Sequence, residues 1–156
     1  MDLVKIVTHD YNDISELSTE ELKVLISEII NIDEVPFALD ELYKRDADLA
    51  IQFAKEILER NLGDEYLKAA VVDFFFENNK SYMNIYIEKY INTMEFYVYK
   101  TILENVLGES TQSFKENLPG LVLKNFSKRY YSYNESKRKS IKDQYDLFTK
   151  SLVSKD

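Results

Sequence analysis

Between residues 34 and 107 the apolar side chains recur at steps of three and four, with no alternating stretch among them. That spacing gathers them on one side of an α-helix, whereas a strand would need a period of two. Such a stripe is stable only when another element covers it, so the segment must fold as helices packed on helices. Three glycines and two prolines in 156 residues leave little room for long loops, and strands are not expected for the same reason. The fold class read from the chain is all-α.

Within this segment VPFALDELYKRDADLAIQFAKEIL overlays AAVVDFFFENNKSYMNIYIEKYI with a shift of about 33 residues, a period found in helix-pair repeats. Leu39 falls on Val72, Leu42 on Phe75, Leu49 on Tyr82, Phe53 on Tyr86, Ala54 on Ile87, Ile57 on Tyr90 and Leu58 on Ile91. Each match keeps the buried stripe of its helix. The expected architecture is therefore a short α-solenoid of stacked antiparallel helix pairs, with an irregular helical bundle as the alternative.

A chain of this length is most simply one domain. It divides into an irregular arm over 1–17, a helix-pair core over 34–107 and a basic helical cap over 121–156. Ser18 and Glu21 form a capping-box pattern, so the first helix is expected over 19–30. Pro36 suits the first turn of a second helix, with Phe37, Leu39, Leu42 and Tyr43 as its buried stripe. Asp46 or Asp48 caps a third that Asn61 and Gly63 stop, and Asp64 and Glu65 begin a fourth. Phe74, Phe75 and Phe76 cannot share one face, which predicts that this helix is covered on two sides. Ser81 and Thr93 are the expected caps of the fifth and sixth helices. Beyond Gly108, Ser110 or Thr111 starts a turn containing Phe114, Pro119 and Gly120 interrupt the chain, and a last helix runs from about Asn134 to Leu152.

The formal charge of −8 is unevenly spread. Residues 1–120 carry 24 Asp/Glu against 11 Lys/Arg, while 121–156 carry 4 against 9. An acidic body repels nucleic acid and attracts basic protein surfaces. The absence of cysteine fits a reducing compartment, and no signal-like or membrane-spanning apolar run is seen, so a cytoplasmic protein without membrane association is expected.

Catalytic constellations are hard to find. His9 is the single histidine, which excludes His-paired zinc motifs, and HDYND lacks the glycine and terminal Glu of a calcium loop. No glycine-rich phosphate loop exists, and acidic pairs such as Asp40 and Glu41 fit exposed helix faces or caps. No enzyme activity, cofactor, metal or small-molecule substrate is expected. Tyr82, Tyr86, Tyr90, Tyr97 and Tyr99 crowd the fifth and sixth helices, with Tyr86 and Tyr90 four apart on one face beside Glu88 and Lys89. A partly exposed stripe of this kind could serve a protein partner, although tyrosine filling between helices is the plainer reading. In KNFSKRYYSYNESKRKSIK, basic residues interleave with aromatics as in single-strand binders, but a solvated face or docking on the acidic body is favoured over nucleic acid.

The stretch VPFALDELYKRDADLAIQFAKEILERNLGDEYLKAAVVDFF resembles small acidic HEAT-like helical proteins that act as immunity partners of bacterial contact-dependent or polymorphic toxins. The resemblance covers 34–107 and rests on helix-pair length, Asp-capped turns and an acidic surface. It implies a cytoplasmic, non-enzymatic inhibitor of a cognate toxin domain, often a nuclease with a basic cleft. A helical-repeat adaptor without a toxin partner is the alternative. In stacked pairs the second helix tends to line the inner face, which nominates Glu56, Glu59, Tyr86 and Glu88 as interface residues. The turn residues Asp46, Asp48, Asp64 and Glu65 complete the set.

Overall fold

A computed structural model describes residues 1–108 and 118–153. Among them are ten α-helices and three 3-10 turns, and no strand. The chain folds as two compact units, Met1–Phe74 and Phe75–Asp156, with the division falling inside one helix.

In the first unit, α1 (Leu3–Val7) is capped by Asp2, whose side chain accepts from Lys5 N at 3.1 Å. The arm expected to be irregular is thus partly helical, and Ile6 anchors it by burial. A 3-10 turn (Ile14–Glu16) leads to α2 (Thr19–Ser27), where the capping box forms as predicted. Glu21 Oε2 accepts from Ser18 N and Oε1 from Asp2 N, both at 2.8 Å, so one buried carboxylate ties α1 to α2. These bonds hold its pKa down to about 2, with the Ser18 amide the largest cause.

α2 ends three residues before the expected boundary. Ile29 adopts φ 47°, and Ile30 N and Ile29 N donate back to Leu25 O and Ile26 O, closing the helix in a Schellman motif. The same closure ends α1 at His9 (φ 57°) and α4 (Ala47–Glu59) at Asn61 (φ 53°), with Asp10 N reaching Lys5 O and Leu62 N reaching Ile57 O. Gly63 follows at φ 72°, a left-handed conformation that favours glycine, and a Cβ there would also make the Leu67 side chain shift.

After a 3-10 turn (Ile32–Glu34), α3 (Val35–Arg45) carries Pro36 in its first turn and buries Val35, Ala38, Leu39 and Leu42. Phe37, expected in that stripe, is 63% exposed, because it lies two positions from both Val35 and Leu39 and so on the other side of the helix. α3 packs against α2 and α4. Asp46 is the N-cap of α4 and accepts from Leu49 N at 3.1 Å. α5 (Glu65–Asn78) starts from Asp64, which accepts from Leu67 N at 2.8 Å, and all three phenylalanines, Phe74 to Phe76, are buried as predicted.

In the second unit, α6 (Lys80–Tyr90) begins at Asn79 rather than Ser81, whose hydroxyl donates to Asn79 Oδ1 at 2.8 Å. A 3-10 turn (Ile91–Thr93) takes up Thr93, so Glu95 and not Thr93 precedes α7 (Phe96–Val106). The segment around Ser110, Thr111 and Phe114 lies outside the described residues. α8 (Gly120–Ser132) follows Pro119 and buries Val122, Phe126 and Tyr130 at four-residue steps. The expected terminal helix is two, α9 (Glu135–Ser140) and α10 (Lys142–Val153). The chain bends at Ile141 (φ −123°, ψ 13°), whose side chain is completely buried. Tyr145 and Phe148 share its buried side, while the side chain of Leu152 lies outside the described residues.

Aromatic rings join these helices. Phe126 of α8 meets Tyr99 of α7 at 5.7 Å and Phe148 of α10 at 4.9 Å between centroids. The Tyr99 hydroxyl donates to Phe126 O at 2.9 Å, and the Met94 carbonyl accepts from Tyr133 at 2.6 Å and from Arg129 Nε at 2.8 Å. The buried Tyr99 hydroxyl thereby finds the acceptor that burial requires.

Candidate interaction surfaces

The charge follows the two units. Residues 1–74 hold 18 Asp/Glu against 7 Lys/Arg, and residues 75–156 hold 10 against 13. In the first unit the acidic residues nominated by sequence fall mainly at helix starts. Asp46 and Asp48 are exposed in and before the first turn of α4, and Asp64 and the half-buried Glu65 stand at the start of α5. Capping fixes the Asp46 and Asp64 carboxylates while leaving them in solvent, and backbone amides rather than cations hold them there. Glu56 is half-buried and Glu59 exposed, one turn apart on α4.

Tyr86 and Glu88 belong to the second unit. Glu88 is exposed, but Tyr86 is 6% exposed, so it is not offered to a partner as expected. It sits at 4.9 Å from Tyr90 and 6.4 Å from Tyr82, and burial pushes its phenol pKa up. The tyrosine-filling alternative describes this position. Sequence reasoning passed over two aromatics that do face solvent in the first unit, Phe37 and Tyr66, the latter 59% exposed directly after Asp64 and Glu65. The helical phase of Phe37 against Val35 and Leu39 was the signal that would have found it.

Ionisable groups also converge at the arm. The Tyr11 hydroxyl donates to Glu34 Oε2, and His9 Nδ1 lies 3.1 Å from Glu34 Oε1 and 3.4 Å from Asn31 Nδ2. Burial, and then the Glu34 carboxylate, push the Tyr11 phenol up. The left-handed backbone of His9 comes from helix closure, as at Ile29 and Asn61, so the cluster acts as a clamp between the arm and the turn before α3. Among the described residues no three His, Asp or Glu side chains are grouped as a metal would require.

The second unit offers a groove of about 270 Å³ lined by Tyr130, Tyr131, Tyr145, Arg138, Lys139 and Lys142 with Glu135 and Asp146. Tyr130 and Tyr145 stack in parallel, centroids 3.8 Å apart, and the Tyr145 hydroxyl is 2.7 Å from Ser127 Oγ. Lys139 pairs with Glu135 at 2.8 Å and Lys142 pairs with Asp146, all of them solvent-exposed or half-exposed.

No family model, curated protein or solved structure matches this chain. The first unit presents fixed carboxylates and exposed rings, which suit a basic macromolecular surface; the second presents cations and rings around a shallow groove. No helix among the described residues is long and apolar enough to cross a membrane.

Proposed function

We propose that this chain is an immunity protein, which binds one cognate bacterial toxin domain in the cytoplasm and neutralises it without chemistry of its own. The observation that carries the reading is that residues 1–74 expose the Asp46 and Asp64 carboxylates held at helix starts, the Asp48 carboxylate, and the rings of Phe37 and Tyr66. Aromatic anchors supply affinity once desolvated, and surrounding charge raises the association rate and rejects wrong partners. A partner with a basic cleft, as in a nuclease, is the electrostatic complement, and occupying that cleft would exclude its substrate.

A HEAT-like stacking of helix pairs belongs to the same proposal. In its support, the overlaid positions Leu39 and Val72, Leu42 and Phe75, Ala54 and Ile87, and Leu58 and Ile91 are all buried. The test is co-expression with the toxin domain encoded in the adjacent reading frame. Protection of growth together with a one-to-one complex on gel filtration is expected. Equal killing with and without this chain, or a stable endogenous partner that is not a toxin, would overturn the proposal, the second outcome favouring an adaptor.

A further inference from the structure

The second unit carries a surface that the proposed function leaves unused. On α8, Leu121, Lys124, Lys128 and Tyr131 are all exposed, and their steps of three, four and three keep them on one side of the helix. At 1.5 Å per residue the stripe runs about 15 Å, with the two lysines about 6 Å apart along the axis. Neither lysine is in an ion pair among the described residues. The stripe ends at Tyr131, 64% exposed, on the lip of the groove that holds Arg138, Lys139 and Lys142.

Two features of the groove point to an anionic, aromatic ligand. Tyr131 meets Tyr130 and Tyr145 at 80°, with centroids 5.1 and 6.2 Å away, so the stacked pair braces the exposed ring. Arg138 lies with its guanidinium carbon 5.9 Å from the Tyr131 ring centre, and its Nε is buried without a hydrogen-bond partner among the described residues. The exposed pairs Lys139–Glu135 and Lys142–Asp146 are weak enough to exchange for phosphate, so the groove can offer three cations, Arg138, Lys139 and Lys142, to an anion.

We propose that this stripe and groove bind single-stranded nucleic acid, with phosphates along Lys124 and Lys128 and at Arg138 and a base stacked on Tyr131. An acidic peptide would use the lysines but has no need of a braced ring between them, whereas a single strand offers a π face beside every phosphate. In a duplex the bases already stack on one another. The acidity belongs to the chain as a whole and not to the unit that carries the stripe and groove, since residues 75–156 hold 13 Lys/Arg against 10 Asp/Glu. The inference is independent of the toxin partner, which is assigned to the other unit.

Fluorescence anisotropy of a labelled oligothymidylate of about ten nucleotides, titrated with the full chain, tests it. Binding is expected at low salt and should weaken with a log–log slope near −2, about −0.7 for each of three phosphates. Lys124→Gln with Lys128→Gln should flatten the slope by about 1.4. Tyr131→Ala should weaken binding about tenfold and leave the slope unchanged. All three sites are exposed, so the helical circular dichroism should not change. No binding at low salt overturns the inference. So does displacement of the strand by polyglutamate at equal charge with Tyr131→Ala binding like wild type, which would make the surface an acidic-protein site.

Discussion

In residues 1–74 the large fully buried side chains are aliphatic, among them Leu22, Leu25, Leu39 and Leu42, whereas in residues 75–156 they include Phe75, Tyr99, Phe126 and Phe148. The aliphatic unit buries one hydroxyl, that of Tyr11, which Glu34 accepts from, and its other polar ties include the Ser18–Glu21 box and the Asp46 and Asp64 caps. The aromatic unit buries hydroxyls, and so its core must supply acceptors such as the Phe126 and Met94 carbonyls. Charge divides along the same line, acidic outside the aliphatic core and basic outside the aromatic one. The lesson is that the two halves are held by different physics and should fail under different conditions.

The largest effects should come from emptying each core. Phe126→Ala removes a ring that meets both Tyr99 and Phe148 and should cost about 3–5 kcal/mol. Leu42→Ala should cost about 2–5 kcal/mol. Chemical denaturation measures both, and a loss below about 1 kcal/mol at either site would contradict the burial described.

pH should separate the units next. The Tyr86 and Tyr99 phenols are raised, first by burial and then by neighbouring charge. Their stabilising contribution is complete below the unfolded tyrosine pKa near 10 and is lost as pH rises above it, at about 1.4 kcal/mol per pH unit for each. Tyr11 adds to this alkaline loss in the first unit. Glu21 is depressed to about 2 from 4.5, so its contribution is complete above pH 4.5 and lost as pH falls toward 2. Hydrogen exchange across pH should therefore expose the amides of Asp2 and Ser18 first in acid and those around Tyr99 first in alkali. The opposite order would break the comparison. A smaller effect, about 1 kcal/mol, is expected from Ser18→Ala, which removes one side of the capping box.

Much of this was legible in the residues. Ser18 and Glu21, Asp46, Asp64, Pro36 and the three phenylalanines carry local signals, because a cap or a helical phase is decided within one turn of chain. The end of α2 was not legible, since Ile29 in a left-handed conformation runs against its own preference and is held there by helix closure. The bend at Ile141 and the start of α6 at Asn79 rather than Ser81 depend on what the core will accept, which no local pattern reports. Of the acids in the interface set, Asp46, Asp48, Glu59, Asp64 and Glu88 are exposed while Glu56 and Glu65 are half-buried, and the sequence reading took Phe37 and Tyr86 in opposite wrong directions. An aromatic ring is equally at home as core filling or as an exposed anchor, and only its surroundings decide between them.

The central claim is that the acidic face of the first unit meets a basic toxin surface, and it is tested most directly by association kinetics. Asp46→Asn with Asp48→Asn and Asp64→Asn removes three charges while asparagine keeps both caps, so folding stability should shift by no more than about 0.5 kcal/mol. The account predicts that wild type binds the toxin domain of the adjacent reading frame with an association rate that falls steeply with salt, and that the triple variant binds more slowly with a shallower salt dependence. Identical rates and salt dependence for the two proteins would contradict it.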